Sequence, residues 1–99
     1  MNEGPVLLHI WEVQASEEPA ALRRLEEMFA EIATDDSFMS ARVLESPDRM
    51  SIAAVVEMRS AEDRRRLEGL PNVQDTLQHL HGTANLVLRL YHEVGRYNA

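Results

Sequence analysis

The sequence predicts an α+β fold of ferredoxin-like type, a four-stranded antiparallel sheet with helices on one face. Three observations lead there. Strand-like and helix-like segments follow one another as β-α-β-β-α-β, with the second helix broken. A tight turn, "SPDR" (46–49), joins the two middle strands as a hairpin. The length, 99 residues, suits one domain, taken as 1–99.

"PVLLHIWEVQ" (5–14) is rich in strand formers and follows Gly4. Ser16 is the expected cap of the next segment, with Glu17 and Glu18 at the positive end of a helix. Leu22, Leu25, Phe29 and Ile32 then recur at helical spacing, which predicts a helix over about 17–33. "TDDS" ends it. "FMSARVLES" (38–46) and "MSIAAVVEM" (50–58) are the hairpin strands. Ser60 caps a helix from about 61, with Asp63 at its third position, and Gly69 and Pro71 break it. Asn72 is the expected cap of a third helix over about 73–81, with Val73, Leu77 and Leu80 on one face. "TANLVLRLYHEV" (83–94) alternates and is the fourth strand.

Counting faces predicts a partner. In the first strand Val6, Leu8 and Ile10 oppose Leu7, His9, Trp11 and Val13. In the third, Ala53 and Val55 oppose Ile52, Ala54, Val56 and Met58. Both sheet faces carry apolar groups, yet helices cover only one. An exposed apolar face burdens a monomer, so two sheets are expected to pack as a two-fold homodimer.

Composition narrows the function classes. The net charge is −7, which phosphate backbones repel, so no nucleic-acid partner is expected. The basic run Arg64-Arg65-Arg66 lies among Glu62, Asp63 and Glu68 and reads as a solvated helix face with local ion pairs. There is no cysteine, hence no disulfide or thiolate chemistry. No apolar run approaches the ~20 residues of a membrane span, and "MNEGPVLLHI" lacks a signal-peptide pattern. These features fit the cytoplasm.

Three segments carry a resemblance: "FMSARVLESPD" (38–48), "VVEMRSAEDRRRL" (55–67) and "LRLYHEV" (88–94). With the opening strand they span about 6–94, and in order and pattern the chain resembles the antibiotic biosynthesis monooxygenase family of dimeric α/β-barrel proteins. The resemblance implies a small homodimer with a pocket between helices and sheet in each subunit. It also implies oxygenation of a planar aromatic or polyketide-like molecule without metal, flavin or other cofactor. The chain departs from the aromatic-oxidising members at three positions. Met58 stands for a Trp, Ala54 for an Asn, and Arg64 falls near an expected Tyr. Haem-degrading relatives use an Asn in the first strand, which "VLLHIWEVQ" lacks.

The chemistry must then come from other residues. His81 lies at the edge of the third helix's apolar stripe, toward the expected pocket. It is the candidate catalytic residue, as general base for an acidic phenol or as a haem ligand. A helix-end His interacting with the dipole is the plainer role. "HLH" (79–81) puts its two rings on different helix faces and is no metal motif. Trp11 and His9 share a strand face and, with Met58, are candidate ligand contacts; core or interface filling is the alternative. Arg89 and Tyr91 share a face of the last strand and complete the candidate substrate contacts. For Arg89 the plainer role is a cross-strand pair with Glu57 or Glu12. Two functions follow: an oxygenase or cyclase-like enzyme on a small aromatic, or a non-catalytic ligand-binding or structural dimer of the same fold.

Overall fold

The computed structural model describes residues 4–99. Its elements are β1 (Val6–Val13), α1 (Glu18–Ile32), β2 (Phe38–Glu45), β3 (Ser51–Met58), α2 (Ala61–Glu68), α3 (Pro71–Leu80) and β4 (Ala84–Tyr91). The four strands form one antiparallel sheet in the order β2-β3-β1-β4. This is the ferredoxin-like α+β arrangement, and the sheet is open. No helix among the described residues is long and apolar enough to cross a membrane.

Strand alternation builds the core. Leu7, Trp11 and Val13 of β1 and Ile52, Ala54, Val56 and Met58 of β3 are buried on the face that α1 covers with Ala21, Leu25, Met28, Phe29 and Ile32. Because β1 and β3 pair as Leu7↔Val56 and Trp11↔Ile52, their inner residues stand side by side. The helices reach β4 only in part. Ala84 and Leu86 pack against the core, while Leu88 and Leu90, on the same face, stay half exposed.

The hairpin follows the expected chemistry. Arg49 N–H donates to the Ser46 carbonyl at 2.9 Å, and Met50 N–H to Asp48 Oδ1 at 2.9 Å. Arg49 has φ 61, so the turn closes through a left-handed residue.

The Ser60 cap also forms: its Oγ accepts from Asp63 N–H at 3.0 Å, and α2 ends before Gly69, whose N–H reaches the Arg65 carbonyl.

Two expected caps are corrected. Ser16 does not cap α1. The cap position is Glu17, without a side-chain bond, and Glu17 and Glu18 N–H groups donate to the Gln14 carbonyl instead. Pro19, lacking an N–H, removes one donor that a cap would serve. Asn72 does not cap α3 either. Pro71, with its preset φ, takes the first helical turn, so the cap position falls on Leu70. Asn72 lies inside the helix and donates to Glu31 Oε2 of α1 at 2.8 Å.

Candidate functional site

The six candidate residues fall in three places. His9 and Met58 line, from the inner sheet face, a partly open cavity of about 60 Å3. Its floor is Leu7, His9, Val56 and Met58; Met28, Phe29 and Ile32 of α1 form one wall. Leu67 and Glu68 of α2, Val73 and Leu77 of α3, and Leu86 and Leu88 of β4 form the other. Trp11 lies one step along β1 from His9, with ring centroids 6.2 Å apart. It is wholly buried and belongs to the core beside the cavity, not to its lining.

His81 stands elsewhere. It is the C-terminal cap residue of α3, exposed, at the opposite end of the sheet. There it borders an open cleft of about 730 Å3 with Glu12, Glu17, Asp48 and Asn85. Arg89 and Tyr91 point to the uncovered sheet face. The register Leu7↔Leu90 and Leu8↔Arg89 puts them on the side opposite His9. Tyr91 borders a hollow there with Val6, Leu8 and Val55. The expected cross-strand pair of Arg89 is also absent among the described residues. Arg89 faces Leu8, and Glu57 instead takes Arg96 at 3.6 Å. The structure therefore brings His9 and Met58 together and separates them from His81, Arg89 and Tyr91.

His9 is the chemically distinctive group of the cavity. Both of its ring nitrogens are buried without a hydrogen-bond partner among the described residues. Burial among apolar neighbours holds its imidazole down to about 4, so the ring is neutral near pH 7. A neutral imidazole offers one donor and one acceptor. A buried polar group left unmatched costs about 1–3 kcal/mol, and such groups are found where a ligand satisfies them.

Glu68 is the other polar lining residue, and sequence reasoning assigned it only to a surface face. It has a partner: Arg64 Nη1 lies 3.0 Å from its Oε1. The signal for it was its position directly after Leu67, the buried residue of α2.

No group of three or more His, Cys, Asp or Glu side chains among the described residues is arranged to hold a metal ion. The one His in the cavity faces apolar side chains, Met58 and Glu68.

No family model and no curated protein matches the sequence. Solved structures do match in fold. SnoaB from Streptomyces nogalater, a cofactor-independent oxygenase, superposes in a mutant form with a TM-score of 0.85 at 14% identity, covering 95% of this chain and 96% of that one. A protein from Deinococcus radiodurans, a candidate antibiotic biosynthesis monooxygenase, gives 0.85 at 12% identity over 96% and 97%. A conserved protein from Methanosarcina mazei gives 0.85 at 6% identity over 93% and 94%. Whole-chain likeness at such identities shows that the fold is shared.

Proposed function

We propose that the protein binds a small, flat, largely apolar molecule in the His9 cavity and oxidises it with molecular oxygen, without metal or flavin. The observation that carries this reading is His9: a neutral imidazole, unpartnered among the described residues, in the wall of a largely apolar, partly open cavity between helices and sheet. The likeness to a cofactor-independent oxygenase over the whole chain supports the reaction class.

The chemistry asks little of the protein. A methylene made acidic by neighbouring aromatic rings becomes a ketone by the balance CH2 + O2 → C=O + H2O. Removal of one proton gives an electron-rich carbanion. It reduces oxygen, forms a C–O bond as a peroxide, and loses water as the carbonyl forms. In this reading His9 accepts the proton. The anion formed beside it supplies the opposite charge that raises the ring's proton affinity. Apolar walls keep water from the intermediate.

At about 60 Å3 the cavity is smaller than the ~150 Å3 that encloses one benzene. Met28 and Met58, unbranched, and Leu77 and Leu88, which reach solvent, are the side chains whose rotation enlarges it.

In the same reading two copies pack through the uncovered sheet face, where Leu44 and Val87 are exposed and Leu8, Ile10 and Val55 half-buried. His81, Arg89 and Tyr91 then act outside the cavity, at the cleft and at the subunit contact.

A second reading, a non-catalytic binding dimer, is favoured by one observation: among the described residues His9 is the single unpartnered polar side chain of the cavity. Oxygen uptake with anthrone, which carries such a methylene, tests the two. Uptake that is lost in His9→Phe supports the oxygenase. Binding of anthrone with no oxygen consumption favours the non-catalytic reading instead.

A further inference from the structure

We infer that the C-terminal tail, residues 92–99, is a strap over one end of the uncovered sheet face, latched by Arg96 to Glu57, and that it lifts before two copies pack there. The inference rests on the sheet-to-sheet pairing proposed above and adds the element that opposes it.

β4 ends at Tyr91 and forms one edge of the sheet; β1 is its neighbour and β3 lies beyond. Glu57 of β3 pairs with Val6, which pairs in turn with Tyr91. Alternation puts these three side chains on the face away from the helices, since Leu7, Val56 and Met58 are buried on the other. Tyr91 and Glu57 are two strand spacings apart, roughly 10 Å. Arg96 Nη2 nevertheless lies 3.6 Å from Glu57 Oε2. The tail therefore turns back past the end of β1 instead of running on beyond the edge. At its root, His92 and Glu93 share an open hollow of about 250 Å3 with Val6, Leu8 and Val55. Leu8 and Val55 belong to the proposed contact, so an approaching sheet meets the tail there.

The latch is built from charge. Glu93 Oε1 accepts from Arg96 Nε at 3.1 Å and from Nη2 at 2.8 Å, which steadies the guanidinium as it reaches Glu57. Ser40 Oγ of β2 donates to Glu57 Oε1 at 3.4 Å from the other side. Apolar packing adds little, because Val94 is 90% exposed and Tyr97 95%. Among the described residues, the side-chain hydrogen bonds and ion pairs of the tail all run through Arg96. Exposed ion pairs are individually weak and screened by salt, so the strap opens without disturbing the sheet.

The test is the dimer dissociation constant, measured by sedimentation equilibrium at low salt. Arg96→Gln frees the tail and makes each copy more negative. Glu57→Gln frees it and makes each copy less negative. Repulsion between two acidic chains would by itself move the two constants in opposite directions. Release of the strap is expected to lower both, by about fivefold, since one weak ion pair in each copy no longer has to break. Backbone NMR relaxation at Gly95, in the Ile10→Arg background that the pairing predicts to be monomeric, reads the latch itself. It is expected to show a more mobile tail in both variants. A constant that rises or stays unchanged in Arg96→Gln overturns the strap and leaves the pairing in place, and so does an unaltered Gly95. Monomers in wild type and in both variants refute the pairing itself, and the inference with it.

Discussion

His9 and Trp11 point from the same face of β1 with ring centroids 6.2 Å apart and planes tilted by 45°, yet one lines a cavity and the other seals it. The difference lies in what the helices place above them. Met28, Phe29 and Ile32 leave a gap over His9, while Trp11 has no exposed surface at all. A polar ring was thereby fixed in an apolar pocket against the stability of the fold.

Replacing His9 with Leu should raise stability by about 1 kcal/mol, because an unmatched buried polar group gives way to an apolar one of similar size. Urea denaturation measures it. The same variant should lose binding of hydroxylated aromatics. A loss of stability would mean that the imidazole has a partner in the folded protein.

The pH dependence of His9 has a definite sign. The ring takes a proton near 6.5 when unfolded and only near 4 when folded. The unfolded state therefore binds more protons between these values. Stability is level above about 6.5 and falls as the pH drops toward 4, by up to about 3 kcal/mol. The difference between wild type and His9→Leu across pH 4–7 isolates this from the carboxylates.

Glu18 acts in the opposite direction. Its carboxyl is buried at the start of α1, and a hydrogen bond with the Glu45 carboxyl raises its pKa, helped by burial and by the Glu45 charge, with Arg49 opposing. A raised carboxyl favours the fold at pH below its ordinary value, and that contribution disappears as pH rises through the raised value. Glu18→Gln keeps a donor toward Glu45 without the charge. It should be more stable than wild type at pH 8 and equal to it near pH 4 in thermal melts.

Gly4 marks a close approach of backbones. A Cβ there would lie 1.7 Å from the Met58 carbonyl oxygen, beside the bond from Met58 N–H to the Pro5 carbonyl. Gly4→Ala should destabilise by about 1–3 kcal/mol, since main chain must move, and guanidinium denaturation reads the cost. A neutral result would show that the segment before β1 shifts freely.

Ile10→Arg tests the subunit contact. The side chain lies mid-strand on the uncovered face, away from the helices, so the charge should leave the fold intact. Sedimentation should show dimers in wild type and monomers in the variant. Monomers in both would refute the sheet-to-sheet pairing.

The fold was legible because each element carried its own local signal. Ser60 with Asp63, the "SPDR" turn and Gly69 mark ends through short-range hydrogen bonds that sequence alone specifies. Ser16 and Asn72 misled because Pro19 and Pro71 fix the first turns, and a proline's preset backbone overrides a weak side-chain cap. The site was less legible. Alternation says which residues of one strand share a face, but not how two strands are phased. Only the Leu8↔Arg89 register shows that Arg89 and Tyr91 lie opposite His9. His81 lay at the edge of an apolar stripe, but α3 ends with that residue exposed and far from the cavity.

The pairing of Val6 with Tyr91 ties the first strand to the last. A ribosome making this protein releases α1 and the β2–β3 hairpin before β4, so one flank of β1 stays unpaired until β4 emerges. The acidic character of the chain is useful in that interval, since like-charged nascent segments repel. Emergence of the last strand is thus the event that completes the sheet. A premature stop before Ala84 would leave a chain with an open central strand, a species for chaperones and proteases and not a smaller working protein.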